Sequence, residues 1–343
     1  MATRIIVIGT SAGGLDALTK LMAQLPRDLP AAVFVVQHMS ADTSGGALRD
    51  AITRSSGLIC EEARNAAKIR KSHVYLAPSD HHLMIVKGRM RVTKGARENR
   101  SRPGIDPLFR SAAVAYRTSV IGVILTGYLD DGTAGMIAIK RCGGVGVVQD
   151  PLDAAYPDMP RNVLNQVKVD HVVPLAEMGA LLVKLLARPV RRAKAVPPDV
   201  VIEARIAERV LSDLDSVEAV GSQVPFNCPG CGGVLWEVEK GQLLRYRCHT
   251  GHAYTSAVLL TEQNAKIEET LWVALRMFEE RRNLLKTMGE KGTRGFSPSA
   301  AERAEESSVH INRIRAMLTF SGSSRPKLAS PARARRRGRI AAG

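Results

Sequence analysis

Short runs of β-branched and other apolar residues recur through the first half of the chain, separated by stretches of helical periodicity. The five runs are Arg4–Ile8, Ala32–Val36, His73–Leu76, Ser119–Leu125 and Val145–Val148. Because these runs show no polar alternation, they are typical of strands buried on both faces, and the intervals between them can hold crossover helices. The pattern predicts a mostly parallel sheet with helices on both faces, a three-layer α/β/α domain of the Rossmann-like class.

Two hairpins are predicted outside that sheet. The strand-like segments His82–Val86 and Arg89–Thr93 flank a Lys-Gly turn, which indicates a β-hairpin beside the parallel strands. Near the other end, a long amphipathic helix is predicted over about 256–288, and Ser297-Pro298 can start a second helix that runs to about Leu318. We expect these two helices to pair as an antiparallel hairpin.

Changes in composition divide the chain into five segments. The stretch from Arg188 to Pro198 is rich in proline and arginine and has little to bury, which marks a linker. The predicted segments are an α/β domain at 1–190, a linker with a short helix at 191–222, a small cysteine-containing module at 223–256, a helical segment at 257–320 and a basic tail at 321–343.

Composition and charge exclude several classes of protein. Apolar residues make up 45% and charged residues 24% of the 343 positions, which is ordinary globular usage and excludes collagen, wholesale disorder and a disulfide-stapled miniprotein. No apolar run is long enough for a membrane span, and Ile5–Ile8 is too short for a signal-peptide core. We therefore expect a soluble, cytoplasmic protein without membrane insertion.

Much of the positive charge lies in the tail. The net charge is +16, and the last segment contains seven basic residues and no acid: Arg325, Lys327, Arg333, Arg335, Arg336, Arg337 and Arg339. Low hydrophobicity with high charge predicts disorder there. Such a tail attracts any polyanion in a salt-dependent way, and the cysteine-containing module lacks the interleaved aromatic and basic surface of single-strand binders, so nucleic acid is disfavoured as a partner.

A glycine-rich turn follows the first predicted strand and carries a serine. The sequence Gly9-Thr-Ser-Ala-Gly-Gly14 fits G-x-S-x-G, in which small neighbours let Ser11 project from a sharp strand-to-helix turn as a nucleophile. A dinucleotide loop would need glycine where Ser11 stands, so that alternative fits poorly. The turn can also be only a tight turn.

A serine nucleophile needs a base and a group that orients the base. His38 follows the second predicted strand, and Asp130 and Asp131 follow the strand that ends at Leu125. Because the carboxyl ends of parallel strands meet at one edge of the sheet, we expect these side chains to converge with Ser11. The order Ser, His, Asp differs from that of α/β-hydrolases, which disfavours that family.

Jointly, these motifs resemble the catalytic domain of CheB-type chemotaxis protein-glutamate methylesterases over about residues 3–187. The matching motifs are Gly9-Thr-Ser-Ala-Gly-Gly14, Gln37-His-Met39, Arg102-Pro-Gly-Ile-Asp-Pro-Leu-Phe109, Leu125-Thr-Gly127 with Asp131-Gly-Thr-Ala-Gly-Met136, and Gln149-Asp150 with Met159-Pro-Arg161. The resemblance implies a carboxylic ester hydrolase that removes γ-methyl esters from glutamates of methyl-accepting chemotaxis receptors, releases methanol, and can deamidate receptor glutamines.

The resemblance also implies roles and partners. Ser11 is the nucleophile, His38 the general base and Asp131 the carboxylate that orients His38, with Asp130 as the alternative for that role; catalysis needs no cofactor. Backbone N–H groups of the glycine turn or of Tyr128 would stabilise the oxyanion. Receptors are the expected partners, with a methyltransferase or a response regulator as further candidates. The alternative is a non-catalytic signalling scaffold that uses the esterase domain to bind receptors.

One departure from the family concerns regulation. Its members usually carry an N-terminal receiver domain, whereas here the predicted catalytic strand begins at Arg4. We therefore expect the enzyme to be constitutive, or to be controlled in trans or by its own C-terminal half.

A cluster of cysteines lies in the segment 223–256. Cys228 and Cys231 form a C-x-x-C turn, and Cys248 with His252 follows after sixteen residues, which fits a zinc-ribbon-like module with four ligands. His252 is preferred to His249 because adjacent side chains of residues 248 and 249 diverge. Four protein ligands close a zinc site, so we expect the zinc to be structural; the alternative is a cluster of reduced thiols.

Overall fold

The structure is a computed structural model that describes residues 4–40, 42–43, 45–86, 88–190, 192, 194–209, 214–238, 243–290 and 299–320. The predicted basic tail, 321–343, lies outside these residues. The chain forms two compact units, one up to Glu262 and one from Gln263 onward.

The first unit is built on a sheet of seven parallel strands. Its strands and hairpin are, in chain order, β1 (Ile5–Thr10), β2 (Ala32–Gln37), β3 (Ile59–Glu62), β4 (His73–Leu76), β5 (His82–Val86), β6 (Arg89–Thr93), β7 (Val120–Ile124), β8 (Val145–Gln149) and β9 (His171–Val173). The sheet order is β3-β4-β2-β1-β7-β8-β9, with β5 and β6 as a separate antiparallel hairpin. The predicted α/β class and the hairpin are confirmed.

The sequence pattern located the central strands and missed both edges. All six residues of β1 are buried, whereas β3 and β9 are largely exposed or half-buried. An edge strand lacks a continuous apolar run because one of its sides faces solvent. The hydrophobic pattern therefore gave no signal for β3 and β9.

Six helices cover the two faces of the sheet: α1 (Gly14–Ala23), α2 (Gly46–Ser55), α3 (Ile105–Tyr116), α4 (Thr133–Arg141), α5 (Asp158–Gln166) and α6 (Leu175–Ala187). Alternate residues of β1 point to opposite faces, so Ile5 and Val7 pack with α3, α4 and α5, while Ile6 and Ile8 pack with α1, α2 and α6. The result is the predicted three-layer arrangement.

Strand β1 lies where the winding of the sheet reverses. The chain passes from β1 to its neighbour β2 on one side, and β7 pairs with β1 on the other side. Ligand sites of open parallel sheets form beyond the carboxyl ends of the strands at such a switch point. The segments that follow β1, β2 and β7 are those that carry the predicted catalytic residues.

The first unit continues with two short helices and a second sheet. These elements are α7 (Pro198–Arg209), α8 (Leu214–Glu218) and the antiparallel strands β10 (Ser222–Asn227), β11 (Val234–Val238), β12 (Arg245–Cys248) and β13 (Ala253–Thr255). Tyr246 lies in the small core of this sheet, whereas Trp236 packs with Ile206 of α7 and Val217 of α8. We refer to β10–β13 with their connecting turns, residues 222–255, as the cysteine module.

Two long helices follow the cysteine module. They are α9 (Ser256–Glu290) and α10 (Ser299–Phe320). Within the second unit, Leu285 packs with Ala300 and Ala304, and the Phe278 ring stacks on His310 with centroids 4.9 Å apart. These contacts run in opposite order along the two helices, which are therefore antiparallel, as the sequence predicts. No helix among the described residues is long and apolar enough to cross a membrane.

Candidate active site

Ser11 lies in the turn between β1 and α1. Its backbone N–H donates to the carbonyl oxygen of Thr126 at 3.0 Å, and its own carbonyl accepts the N–H of Gly14 at 3.0 Å. Gly13 has a φ of 76°, a left-handed conformation that favours glycine. The turn is thus fixed from both sides, and it presents Ser11 at the carboxyl end of β1.

His38 follows β2 immediately and lies beside Ser11. The backbone N–H of His38 donates to the carbonyl oxygen of Thr10 at 3.0 Å, which continues the parallel register of β1 and β2 by one residue. The Gln37 side chain reinforces this neighbourhood because its amide nitrogen donates to the Ser11 carbonyl at 2.7 Å and to the His38 carbonyl at 2.9 Å. The Gln37 side chain therefore links the segment that contains Ser11 to the segment that contains His38.

Asp131 is the carboxylate that contacts His38. Its Oδ2 lies 2.8 Å from His38 Nε2 and also accepts the backbone N–H of Ile105 at 2.7 Å. Its Oδ1 accepts hydrogen bonds from Gly132 N at 3.0 Å, Asp106 N at 3.3 Å and Asn99 Nδ2 at 3.3 Å. Ile105 and Asp106 form the first turn of α3, so the buried carboxylate also benefits from the positive end of that helix.

These donors determine the charge of Asp131. Burial raises the pKa of this carboxyl, but the hydrogen bonds from His38, Ile105 and Asn99 outweigh burial and hold the pKa below its ordinary value of 3.8. Asp131 is therefore ionised at neutral pH and only accepts hydrogen bonds. The proton between Asp131 and His38 accordingly resides on Nε2, which leaves Nδ1 of a neutral His38 unprotonated.

Asp130 occupies a different environment from Asp131. It is 9% exposed, it interacts with the hydroxyl of Thr255, and its pKa is raised by burial and by the neighbouring Asp131 charge. Its Oδ1 has no hydrogen-bond partner among the described residues. Of the two adjacent acids that the sequence left as alternatives, Asp131 is the one in contact with His38.

A second serine lies close to His38, and the sequence analysis missed it. Ser101 Oγ is 3.5 Å from His38 Nδ1, at the outer limit of a hydrogen bond. Within the part of the chain that the structure describes, no hydrogen bond joins Ser11 Oγ to His38. Catalytic hydrogen bonds are often long or misaligned without substrate and tighten in the complex, so both serines are candidates for the nucleophile.

The sequence analysis also missed two more polar residues that contact Asp131. Asn99 is 6% exposed and donates through Nδ2 to Asp106 Oδ2 at 3.0 Å as well as to Asp131. Asp106 is 2% exposed, and burial together with the Asp131 charge raises its pKa to about 8. Asp106 therefore keeps a proton in neutral solution, so that only one of these two close carboxyls is ionised.

The three cysteines of the module converge with His252. The Sγ atoms of Cys228, Cys231 and Cys248 and one ring nitrogen of His252 lie within 4.8 Å of one another. His249 is not one of these four residues, and its ring packs edge-on against Trp236. None of the five cysteines, all of which lie among the described residues, forms a disulfide bond.

Comparisons with known proteins agree with this geometry. Residues 6–182 match the family model of the CheB methylesterases. A Leptospira interrogans protein, provisionally named protein-glutamate methylesterase/protein-glutamine glutaminase, is 39% identical over 181 residues that make up 52% of this chain and 93% of that protein. A Thiobacillus denitrificans protein-glutamate methylesterase/protein-glutamine glutaminase is 34% identical over 197 residues, 56% of this chain and 55% of its own length.

A solved structure matches the same part of the chain. The crystal structure of the Thermotoga maritima CheB methylesterase catalytic domain is similar with a TM-score of 0.52 and 32% sequence identity, and the match covers 54% of this chain and 100% of that domain. The chain spans about half the length of the Thiobacillus relative. Because the family match ends at residue 182, the cysteine module lies outside it.

Proposed function

The chain belongs to the CheB methylesterase family, a family of hydrolases, and from this we propose that it hydrolyses glutamate γ-methyl esters on methyl-accepting chemotaxis receptors. The observation that carries the proposal is the 2.8 Å contact between His38 Nε2 and Asp131 Oδ2. His38 follows β2, which is paired with β1, the strand that leads into Ser11. Relatives named protein-glutamate methylesterase support a methyl-esterified protein glutamate as the substrate group. Their names also include protein-glutamine glutaminase, so we propose the same deamidation for this chain.

In the proposed mechanism, Ser11 is the nucleophile and His38 the general base. Nδ1 of His38 takes the Ser11 proton while Oγ attacks the ester carbonyl carbon, and the imidazolium then protonates methoxide as methanol leaves. Water repeats the sequence on the acyl-enzyme, which regenerates Ser11 and leaves a glutamate on the receptor. Asp131 acts throughout as an ionised acceptor that fixes the His38 tautomer and stabilises the imidazolium.

The oxyanion needs backbone N–H groups that are not already engaged. Gly14 N donates to the Ser11 carbonyl, and Gly127 N donates to the carbonyl of Tyr156 at 2.9 Å. Among the candidates from the sequence, this leaves the N–H groups of Ala12, Gly13 and Tyr128. Loss of one such donor costs on the order of 3 kcal/mol of transition-state stabilisation.

We also propose that the cysteine module holds a structural zinc ion. Tetrahedral zinc with sulfur at about 2.3 Å and nitrogen at about 2.0 Å separates two sulfurs by roughly 3.8 Å and a sulfur from a nitrogen by roughly 3.5 Å. The Sγ atoms of Cys231 and Cys248 are 3.7 Å apart, and Cys248 Sγ is 3.6 Å from His252 Nδ1. The donor spacing therefore suits zinc, and with Cys228 the four ligands complete the shell.

Methanol release tests the esterase proposal. The substrate is a receptor cytoplasmic fragment that carries radiolabelled glutamate methyl esters, incubated with wild type, Ser11→Ala or Ser101→Ala. We expect wild type to release labelled methanol, Ser11→Ala to lose activity by at least about a thousandfold, and Ser101→Ala to stay within about tenfold of wild type. If Ser101→Ala is the inactive variant, Ser101 is the nucleophile; equal rates for wild type and Ser11→Ala would reject the esterase proposal.

A further inference from the structure

Asn99 occupies a tight turn beneath the proposed catalytic carboxylate. Glu98 and Ser101 pair as an antiparallel bridge, and the two residues between them, Asn99 and Arg100, have φ values of 47° and 68°. Positive φ at both central positions is the type I′ geometry, which asparagine tolerates better than most residues. The turn points the Asn99 side chain inward, where it is almost completely buried.

The Asn99 amide has only one orientation that satisfies its neighbours. Its Oδ1 accepts the backbone N–H of Thr255 at 3.2 Å, and its Nδ2 donates to Asp106 Oδ2 and Asp131 Oδ1. A flipped amide would place its oxygen against the ionised Asp131 carboxylate and its NH2 group against the N–H donor of Thr255. Thr255 of strand β13 and the Asp131 carboxylate therefore favour the same orientation of the Asn99 amide.

Strand β13 also holds the backbone of this turn. Asn99 N donates to the carbonyl oxygen of Ala253 at 2.8 Å, and Glu98 pairs with Ala253 as a parallel bridge. The Thr255 hydroxyl interacts with Asp130, which directly precedes Asp131 in the chain. The cysteine module thus contacts both segments that surround the Asp131 carboxylate.

Buried ion pairs also connect the cysteine module to Glu98, the residue before Asn99. Arg247 of β12 lies 3.0 Å from Glu98, and Arg110 of α3 contacts both oxygens of Glu98 at 2.7 Å. Glu203 of α7 joins this cluster and pairs with Arg245 at 2.8 Å. Glu98, Arg110 and Arg247 are each at most 2% exposed, so removal of one charge would leave its partners uncompensated in the protein interior.

The proposed metal ligands border these contacts directly. Cys248 follows Arg247, and His252 precedes Ala253. Within the connecting loop, Cys248 N donates to the His252 carbonyl at 3.0 Å, and Arg247 Nη1 donates to the Gly251 carbonyl at 3.1 Å. A metal ion bound by Cys248 and His252 would close this loop and hold β12 and β13 in register.

We propose that Asn99 is a positioning residue for Asp131 and that the metal-loaded cysteine module holds Asn99 in place, so that esterase activity depends on the module. The inference rests on the proposed function and adds a control element from outside the matched region 6–182. Asn99 does not touch substrate. It acts through Asp131, whose position sets the direction in which the His38 ring presents Nδ1.

Two substitutions at Asn99 separate its donor from its acceptor. Asn99→Asp keeps an oxygen that can accept Thr255 N–H, but it replaces the donor with a charged oxygen that faces Asp106 and Asp131. Asn99→Gly removes both the donor and the acceptor, and glycine suits the positive φ at this position. Loss of a hydrogen bond to a charged group corresponds to a fall of about ten- to a hundredfold in kcat. We expect the kcat of Asn99→Gly to decrease within this range while its KM stays nearly unchanged, and we expect the kcat of Asn99→Asp to decrease at least as much.

The matched control is Asn65→Ala. Asn65 is exposed, and its Oδ1 accepts Val92 N at 3.2 Å, away from the site. We expect this variant to keep wild-type kcat and KM. If Asn99→Gly and Asn99→Asp both stay within about twofold of wild type, the positioning role is wrong.

A spectroscopic readout distinguishes positioning from general stability and does not need esterase activity. With 15N-labelled histidine, the Nε2–H proton of His38 in its hydrogen bond to Asp131 gives a downfield resonance. We expect this resonance to shift in both Asn99 variants and to stay in place in Asn65→Ala. An unchanged resonance in both Asn99 variants would overturn the proposal, even if wild type released no methanol and the esterase proposal itself had failed.

Removal of the metal tests the second half of the proposal. Cys231→Ser changes the exposed ligand of the set, and zinc content, kcat and the His38 resonance are measured together on the full chain. We expect zinc content and kcat to fall together and the resonance to shift as it does in Asn99→Gly. A zinc-free protein with full activity and an unshifted resonance would refute the dependence on the module. If Cys231→Ser does not fold, Asn99→Gly tests the contact, because it keeps all four ligands and removes the acceptor of Thr255 N.

Discussion

His38 and Asp131 are 93 positions apart in the chain, yet His38 Nε2 and Asp131 Oδ2 lie 2.8 Å from each other. The two residues meet because β2 and β7 flank β1 and because each residue follows its strand closely. The first turn of α3 then supplies further donors to the carboxylate. Of the two adjacent acids, Asp131 is the one that contacts His38.

We predict that Asp131→Asn lowers kcat by about four orders of magnitude, because an amide at this position no longer holds the His38 tautomer or stabilises the imidazolium. Asp130→Asn is the matched control, since Asp130 contacts Thr255 rather than His38. We expect its kcat to remain within about tenfold of wild type in the methanol-release assay. The opposite order of the two variants would assign the orienting role to Asp130.

We predict that Gly127→Ala impairs the Ser11 turn. A Cβ on Gly127 would lie 2.8 Å from Ser11 Cβ and would collide with Met159 Sδ, so the serine or the methionine must move. Displacement of a reacting group by about 1 Å can cost a hundredfold in rate. Gly45→Ala is the control because its Cβ would meet only ordinary contacts at 3.7 Å and beyond. Similar kcat values for the two variants would contradict the packing argument.

We predict that Glu98→Gln destabilises the folded chain by about 3–5 kcal/mol at pH 7, because Arg110 and Arg247 lose a buried counter-charge. Burial raises the pKa of Glu98, but the two arginines outweigh burial and lower the pKa to about 2 from its ordinary value of 4.5. The ionised glutamate therefore contributes stability above pH 4.5, and this contribution disappears as pH falls from 4.5 toward 2. Urea unfolding should show the difference between wild type and Glu98→Gln shrinking over that range.

The control for this prediction is Asp16→Asn. Asp16 pairs with Lys20 at 2.8 Å on the surface of α1, where both side chains are more than 60% exposed. Such a pair contributes only about 0.3–0.5 kcal/mol. A loss of similar size in Glu98→Gln would show that water, rather than Glu98, balances the buried arginines.

We predict that the purified chain binds about one zinc ion and that Cys231→Ser loses it while Cys60→Ser retains it. Cys60 is a thiol of β3, and burial raises its pKa to about 12, which keeps it protonated and unsuited to metal binding. Elemental analysis after dialysis measures the stoichiometry. Equal zinc loss in both variants would mean that the metal is bound nonspecifically by thiols.

The strands and the candidate residues of the esterase site were predictable because both depend on local signals. Buried strands such as β1 and β7 produce continuous apolar runs, and the segments that follow them contain Ser11 and Asp131. Because the carboxyl ends of parallel strands lie at one edge of the sheet, the predicted sheet alone brings these segments together. The four-residue Cys228, Cys231, Cys248 and His252 set was likewise visible from its spacing, and the structure brings its side chains together.

Asn99, Glu98, Glu203 and Arg247 were not predictable, because each looks like an ordinary surface residue in its own segment. Their burial depends on contacts between elements as distant as α3, α7 and β12. Charged residues are rarely buried unless paired, and no local pattern reveals such a partner. Ser101 was missed for a related reason, since its approach to His38 depends on the turn that β13 holds.

The hydrogen bond from Thr255 to Asn99 joins residues 156 positions apart. A ribosome adds about 5–20 residues per second, so Asn99 leaves the tunnel on the order of ten to thirty seconds before Thr255 does. In the later part of that interval, once residue 182 has been added, the nascent chain contains every residue of the match at 6–182, but its type I′ turn still lacks the strand that it contacts. If activity depends on the module as proposed, the catalytic site matures only after the cysteine module has been translated.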